Sequence, residues 1–274
     1  MQQDTLCEGF VDAHVHIKHE DALACAASAG IAAIRDAGIK EGIGLSVGRD
    51  RQGISMVVTA GWALYKKGGY GSHFGAPIET KQEIKSEIHE LKRRGADIIK
   101  IMASGVVSLK KPDTITPGGF DQDDLAFIVS EAAVVGLRVM AHANGEAAII
   151  SATKAGVCSI EHGFFMTERA LDVMAKHGTY WTPTVGALER AAKPDSVSKE
   201  MKNSIAGLIR SHLEMIYKAH ESGVLLAVGT DCVLPDPDYK KAYDAELSYF
   251  EQAGIPHDAV IKIACEGGKK LLML

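Results

Sequence analysis

Apolar residues interrupted by polar ones at every second position mark Gly9-Phe10-Val11-Asp12-Ala13-His14-Val15-His16 as a strand, with His14 and His16 on one face. Behind it one pattern recurs: a helical stretch, a glycine, then a short apolar run that ends in polar residues. The glycines are Gly30, Gly53, Gly95, Gly136, Gly156, Gly178 and Gly223, and the runs they introduce cover 31–36, 54–59, 98–102, 137–142, 157–162, 179–182 and 224–231. A glycine just past a helix end takes the left-handed conformation that stops the helix, so each one predicts a helix-to-strand turn. With the opening strand, eight strands result. Helix starts are marked as well. Thr80 with Glu83 forms a capping box ahead of Ile84, Ile88 and Leu91, and Asp121 and Thr167 stand as N-caps before Leu125, Ile128 and Val129 and before Ala170, Leu171 and Met174. A last helix is expected over 264–272.

Apolar strands that alternate with helices build a parallel sheet covered on both faces, and eight such units close it into an α/β (β/α)8 TIM barrel spanning residues 1–274. The alternative is an open doubly wound sheet, but no glycine-rich phosphate loop follows the first strand. Helix-to-strand connections are short, whereas the connections 66–79, 104–120, 186–198 and 232–239 after strands are long. Long loops carry function, and in barrels of this kind they crowd the C-terminal face of the strands.

Composition narrows the picture further. Hydrophobic residues make up 46% of the 274, enough for a full core, and a formal charge of −5 leaves no electrostatic footprint for nucleic acid. A small-molecule partner is expected instead. No apolar run approaches the roughly 20 residues of a membrane span. The first nine residues carry Asp4 and Glu8 and lack the features of a secretory leader, so a cytoplasmic protein is expected. Cys7, Cys25, Cys158, Cys232 and Cys265 are odd in number and scattered, which reads as reduced thiols rather than a disulfide frame. Cys232 reads as a packing residue.

At the polar strand ends stand His14, His16, Lys100, His142, His162 and Asp231. Each has a plain structural reading on its own, His142 or His162 as a hydrogen-bonded core histidine and Lys100 as an ion-paired lysine. Around one barrel mouth, four imidazoles, a lysine and a carboxylate suffice for two metal ions.

These motifs resemble the amidohydrolase superfamily of metal-dependent hydrolases over nearly the whole chain. The resemblance rests on His14-Val15-His16, the run Gly95 to Gly105 around Lys100, Ala141-His142-Ala143-Asn144-Gly145 through Ala155-Gly156-Val157, Ile160-Glu161-His162-Gly163 and Gly229-Thr230-Asp231. It is strongest to the imidazolonepropionase-related branch with its prolidase-like, carboxylated-lysine dipeptidases. The resemblance implies that His14, His16 and Asp231 hold one divalent metal, that His142 and His162 hold a second, and that carboxylated Lys100 bridges them, with zinc the expected metal. It further implies hydrolysis of an amide-type C–N bond by a metal-activated water, with Asp231 as the general base that passes the proton to the leaving nitrogen.

Substrate contacts are expected from Tyr70 and His73, in a loop where relatives often carry Gly-Gly-His-Gly and Tyr70 replaces the histidine. Lys110 and Lys111 read either as a carboxylate clamp or as a solvated pair. Val106 stands where the lysine motif usually has a second glycine. The β-sandwich that flanks the barrel in relatives is expected to be missing, and the apolar surface so left would be buried in a homo-oligomer. Dipeptides or N-acyl amino acids are the expected substrates. The same site would also serve a lactonase, a carbamate or arylamide hydrolase, or a non-catalytic metal-binding protein.

Overall fold

The computed structural model describes residues 9–47, 53–54 and 56–273. Ten parallel strands carry the architecture: β1 (Phe10–Ile17), β2 (Ile31–Asp36), β3 (Met56–Thr59), β4 (Ala63–Lys66), β5 (Gly75–Ile78), β6 (Ile98–Met102), β7 (Arg138–Ala143), β8 (Ser159–His162), β9 (Tyr180–Thr182) and β10 (Cys232–Leu234). They pair in the orders β10-β1-β2-β3 and β5-β4-β6-β7-β8-β9. Backbone hydrogen bonds tie the two sheets at both seams. At one, the Asp97 amide donates to the Thr59 carbonyl at 2.8 Å; at the other, Trp181 N donates to Leu225 O and Ala13 N to Val228 O, each at 2.8 Å. The strands thus run round a ring with helices outside, the α/β barrel expected from the repeat.

Those helices are α1 (Ala22–Ser28), α2 (Gly44–Val47), α3 (Lys81–Arg94), α4 (Gln122–Val134), α5 (Glu146–Ala155), α6 (Glu168–His177), α7 (Val185–Ala192), α8 (Lys199–Glu221), α9 (Tyr239–Gln252), α10 (His257–Lys262) and α11 (Gly268–Leu272), the last two joined by one π-helical turn. All seven punctuating glycines have positive φ, from 64° at Gly178 to 98° at Gly156. Thr80 and Glu83 form the reciprocal capping box, and Ile84, Ile88 and Leu91 are the buried face of α3. Asp121 and Thr167 accept from Asp124 N and Ala170 N, so both expected caps are present. Among the described residues no helix is long and apolar enough to cross a membrane.

The expected elements are corrected in four places. Regular pairing of the last strand with β1 is confined to Cys232–Leu234, so the run 224–231 is not the ladder its apolar pattern suggested. It approaches β1 too closely and too unevenly: a Cβ on Gly229 would lie 2.8 Å from His14 Cβ, and Asp231 turns left-handed with φ 55°. The expected loop 186–198 contains α7, because the Glu246 carboxylate accepts from Val185 N and Gly186 N and so caps its first turn. The loop 66–79 holds β5, paired to β4. Cys265 is disulfide-bonded, which corrects the reading of every cysteine as a reduced thiol, whereas Cys25, Cys158 and Cys232 are free. Cys7, Ser55 and the start examined for a leader lie outside the described residues, apart from Gly9.

Candidate active site

Five side chains on β1, β6, β7 and β8 and Asp231, just before β10, meet at one cavity of about 500 Å³, lined among others by His14, His16, Lys100, His142, His162 and Asp231. Alternation along β1 points both of its histidines inward, with ring centroids 5.4 Å apart. His162 on β8 lies 5.0 Å from His14 and 4.7 Å from His142 on β7, centroid to centroid. Residues separated by about 150 positions of chain therefore share one pocket. Every one of the four imidazoles is buried, as is Lys100.

Each ring is fixed by one nitrogen. His14 Nδ1 lies 2.7 Å from Glu161 Oε2, His16 Nδ1 2.7 Å from the Gly38 carbonyl, and His142 Nε2 2.9 Å from the Gly105 carbonyl. These oxygens only accept, so the facing nitrogen is the N–H, and in the neutral ring the opposite one carries a lone pair. His162 Nδ1 meets the Thr184 hydroxyl at 2.7 Å. The consequence appears at Asp231, whose Oδ1 lies 3.3 Å from His14 Nε2 and 3.1 Å from His16 Nε2. Lone pairs thus face a carboxylate oxygen. Extra protons do not resolve the conflict at His14, because burial, reinforced by the Lys100 charge, lowers its pKa to about 4. A cation between these atoms would. Ligand atoms of His14, His16 and Asp231 all lie within 4.8 Å of one another.

Lys100 is the second sign. Its Nζ is buried without a hydrogen-bond partner, although orphaned charges of this kind are costly. Burial, with Arg35 nearby, brings its pKa down to about 8 against the opposing pull of Glu161 and Asp231. Burial also takes the His142 pKa to about 3 and that of His162 well below its ordinary value. His14, His142 and His162 are therefore neutral at physiological pH, the state in which imidazole binds metal.

Backbone strain is concentrated here. Among the described residues, His162, Thr184 and Asp231 are three of the six non-glycine residues with positive φ, at 66°, 48° and 55°. Such conformations are costly for residues with a Cβ and persist where surrounding bonds enforce them. Trp181 Nε1 donates to the His162 carbonyl at 2.9 Å, and Asp231 N donates to His14 O at 2.7 Å.

The match of a family model, described as "Amidohydrolase family", covers residues 5–273. The chain belongs to the amidohydrolase family. Ochratoxinase from Aspergillus niger is 34% identical over 152 residues, 55% of this chain and 32% of the relative. An uncharacterised protein of Mycobacterium tuberculosis is 27% identical over 242 residues, 81% of this chain and 63% of that one. The chain therefore spans about a third of the first relative's length and just under two thirds of the second's. Among solved structures, a Xaa-Pro dipeptidase with methionine bound in its active site superposes with a TM-score of 0.81 at 26% identity, covering 97% of this chain and 75% of that one. The ochratoxinase structure gives 0.82 at 25%, covering 96% and 71%.

Of the two expected substrate residues, Tyr70 lines the cavity and packs against His142, centroids 5.1 Å apart. His73 is exposed; its neighbour Phe74 lines the wall and packs 4.8 Å from His16. Burial lifts the Cys232 thiol pKa to about 12, which suits a packing residue. Sequence reasoning passed over the groups behind the ligands. Glu161 accepts from Arg35 Nη2 at 2.8 Å and also from Ser159. Asp12 accepts from Thr230 N and Oγ1, from His14 N and from Tyr239. The available signal was a charge inside an apolar strand, as in Ile34-Arg35 and Ile160-Glu161.

Proposed function

We propose that this chain is a metal-dependent hydrolase of amide-type C–N bonds, acting on dipeptides or N-acyl amino acids. The observation that carries it is the cluster of buried imidazoles, held by their hydrogen bonds, that confronts Asp231 beside the orphaned Lys100 Nζ. His14, His16 and Asp231 would hold one divalent ion, with zinc the metal of choice for these donors, and His142 and His162 a second. Lys100, once carboxylated, would bridge the two; a pKa brought to about 8 by burial leaves a sizeable neutral fraction able to take up carbon dioxide. When bound, the ions supply what no side chain here provides, a water acidic enough to ionise near neutral pH and a positive charge against the scissile carbonyl.

The chain's own groups do the rest. Asp231, one-quarter exposed to the cavity, accepts the proton of the attacking water and delivers it to the leaving nitrogen. Tyr70 and Phe74 close one wall and Phe164 another, which excludes solvent from the reacting bond. One relative's structure is that of a dipeptidase, in keeping with the proposed substrates. The test is a hydrolysis screen of dipeptides and N-acyl amino acids with zinc-loaded, chelator-treated and reloaded protein. Loss on chelation and recovery on reloading are expected. Equal rates before and after complete metal removal would refute the reading.

A further inference from the structure

Away from the ligand cluster the cavity wall is apolar, with Val107, Leu109, Phe164 and Leu188 prominent, and it carries one charged side chain, Lys110. Its charge is uncompensated, its backbone is held, and it alone of the two neighbouring lysines lines the cavity. Among the described residues no carboxylate partner is found for Lys110, as for its neighbour Lys111, and what sets Lys110 apart is its place on the cavity wall. The acidic residue of its own hairpin, Asp113, is engaged elsewhere and accepts from Ser204 Oγ on α8 at 3.0 Å. The backbone is also held in place. Ser108 Oγ accepts from Lys110 N at 3.2 Å and from Lys111 N at 3.0 Å, and the hairpin is closed by Ser108 N to Thr114 O and Thr116 N to Val106 O, each at 2.8 Å. That turn puts Lys110 on the cavity and leaves Lys111 outside its lining. Beside it Leu109 stays 40% exposed.

We propose that Lys110 and the adjoining apolar wall form a subsite for the carboxylate and the apolar body of one substrate. This rests on the reading of the cavity as a hydrolase site and goes further, since it assigns the substrate's charge to one residue. Low-dielectric walls on one side strengthen a single cation's pull on an anion. They also favour a ligand whose apolar part covers Leu109 and Leu188 while its carboxylate reaches the ammonium.

The test compares N-benzoyl-leucine with its uncharged analogue N-benzoyl-leucinamide, using binding calorimetry and hydrolysis rates on metal-loaded wild type, Lys110→Gln and Lys111→Gln. Wild type favours the carboxylate ligand. Lys110→Gln weakens its binding about threefold to tenfold, the range of a partly screened charge pair. The same variant raises KM by a similar factor at unchanged kcat, and the carboxamide is unaffected. Lys111→Gln behaves as wild type. No preference in the wild type, an equal loss for both ligands, or an equal loss in Lys111→Gln would overturn the proposal. Binding preference without turnover would keep the subsite and refute the hydrolase; turnover without preference would do the reverse.

Discussion

Glu161 offers the sharpest test of how the site is held. It is fully buried, and its carboxylate joins Arg35 Nη2 at 2.8 Å, Ser159 Oγ and His14 Nδ1 at 2.7 Å. Burial alone would raise its pKa, but Arg35 and His14 outweigh that and keep it ionised. Replace it by glutamine and the amide oxygen can still accept from Arg35, but then the NH2 faces His14. The imidazole must turn its lone pair to that NH2, which puts its proton on Nε2, toward Asp231. Two losses follow. Arg35, itself fully buried, keeps Ala13 O and Ser159 Oγ as partners but no counter-charge. Breaking one side of such a pair costs about 3–5 kcal/mol, a large share of the roughly 5–15 kcal/mol that holds a protein folded. Metal affinity falls separately, by about 10- to 100-fold, the usual effect of removing the group that orients a ligand histidine. Urea unfolding of metal-free Glu161→Gln reads the first, and zinc competition with a chromophoric chelator the second. In Arg35→Met/Glu161→Gln the stability loss should be smaller than the sum of the single variants by about 1–3 kcal/mol. A Glu161→Gln protein within about 0.5 kcal/mol of wild type, the scatter of neutral surface changes, would refute the reasoning, as would strict additivity.

Other expectations follow from the same geometry. Asp231→Asn retains most metal, measured by atomic emission on the dialysed protein, and loses about 100-fold or more in kcat, the worth of a general base; near-normal turnover would dismiss the proton shuttle. Burial raises the Glu246 pKa from the usual 4.5 to about 8 against the hydrogen bonds from Gly186 and Val185. A raised folded pKa means that the folded state binds the extra proton. The stability linked to it is therefore fully present below about pH 4.5 and is lost as pH rises through about 8. Urea midpoints of wild type should decline across that window, and Glu246→Gln should flatten the decline; parallel curves would contradict it.

The barrel was legible because its repeat is local. Each helix stop needs only a glycine in the left-handed region, and each start a side-chain oxygen three residues before the amide it caps, so Gly95, Gly156, Thr80 and Thr167 announce themselves within a few residues. The candidate site was legible for a different reason: histidine, lysine and aspartate at the ends of apolar strands are uncommon enough to stand out. Their supports were not. Glu161 and Arg35 are 126 positions apart, and Asp12 and Thr230 are 218 apart; nothing local tells a strand charge which partner it will meet. Helix α7 was hidden in the same way, since the carboxylate that caps it lies sixty residues on, at Glu246.

These long-range contacts fall mostly at one seam, and that placement has a physical logic. Between β9 and β1 the ladder is thin: Trp181 and Leu226 form a single bridge, and regular pairing resumes at Val15 with Cys232. Side chains take over what backbone pairing leaves undone. Arg190 on α7 donates to the Thr230 carbonyl, Thr230 is anchored to Asp12, Tyr239 on α9 donates to the same Asp12 carboxylate, and Thr184 at the head of α7 meets His162. A regular ladder would hold residue 231 in extended backbone and alternate its side chain with its neighbours'. Freed from it, Asp231 adopts φ 55° and brings its carboxylate between His14 and His16. Helix α7 reaches both His162 and the residue before Asp231, so one short element positions groups from both proposed metal sites. The irregular seam is thus where the fold gives up repetitive hydrogen bonding in order to aim Asp231 at His14 and His16, and Asp12, Glu246 and Arg190 are the residues that keep that exchange from loosening the barrel.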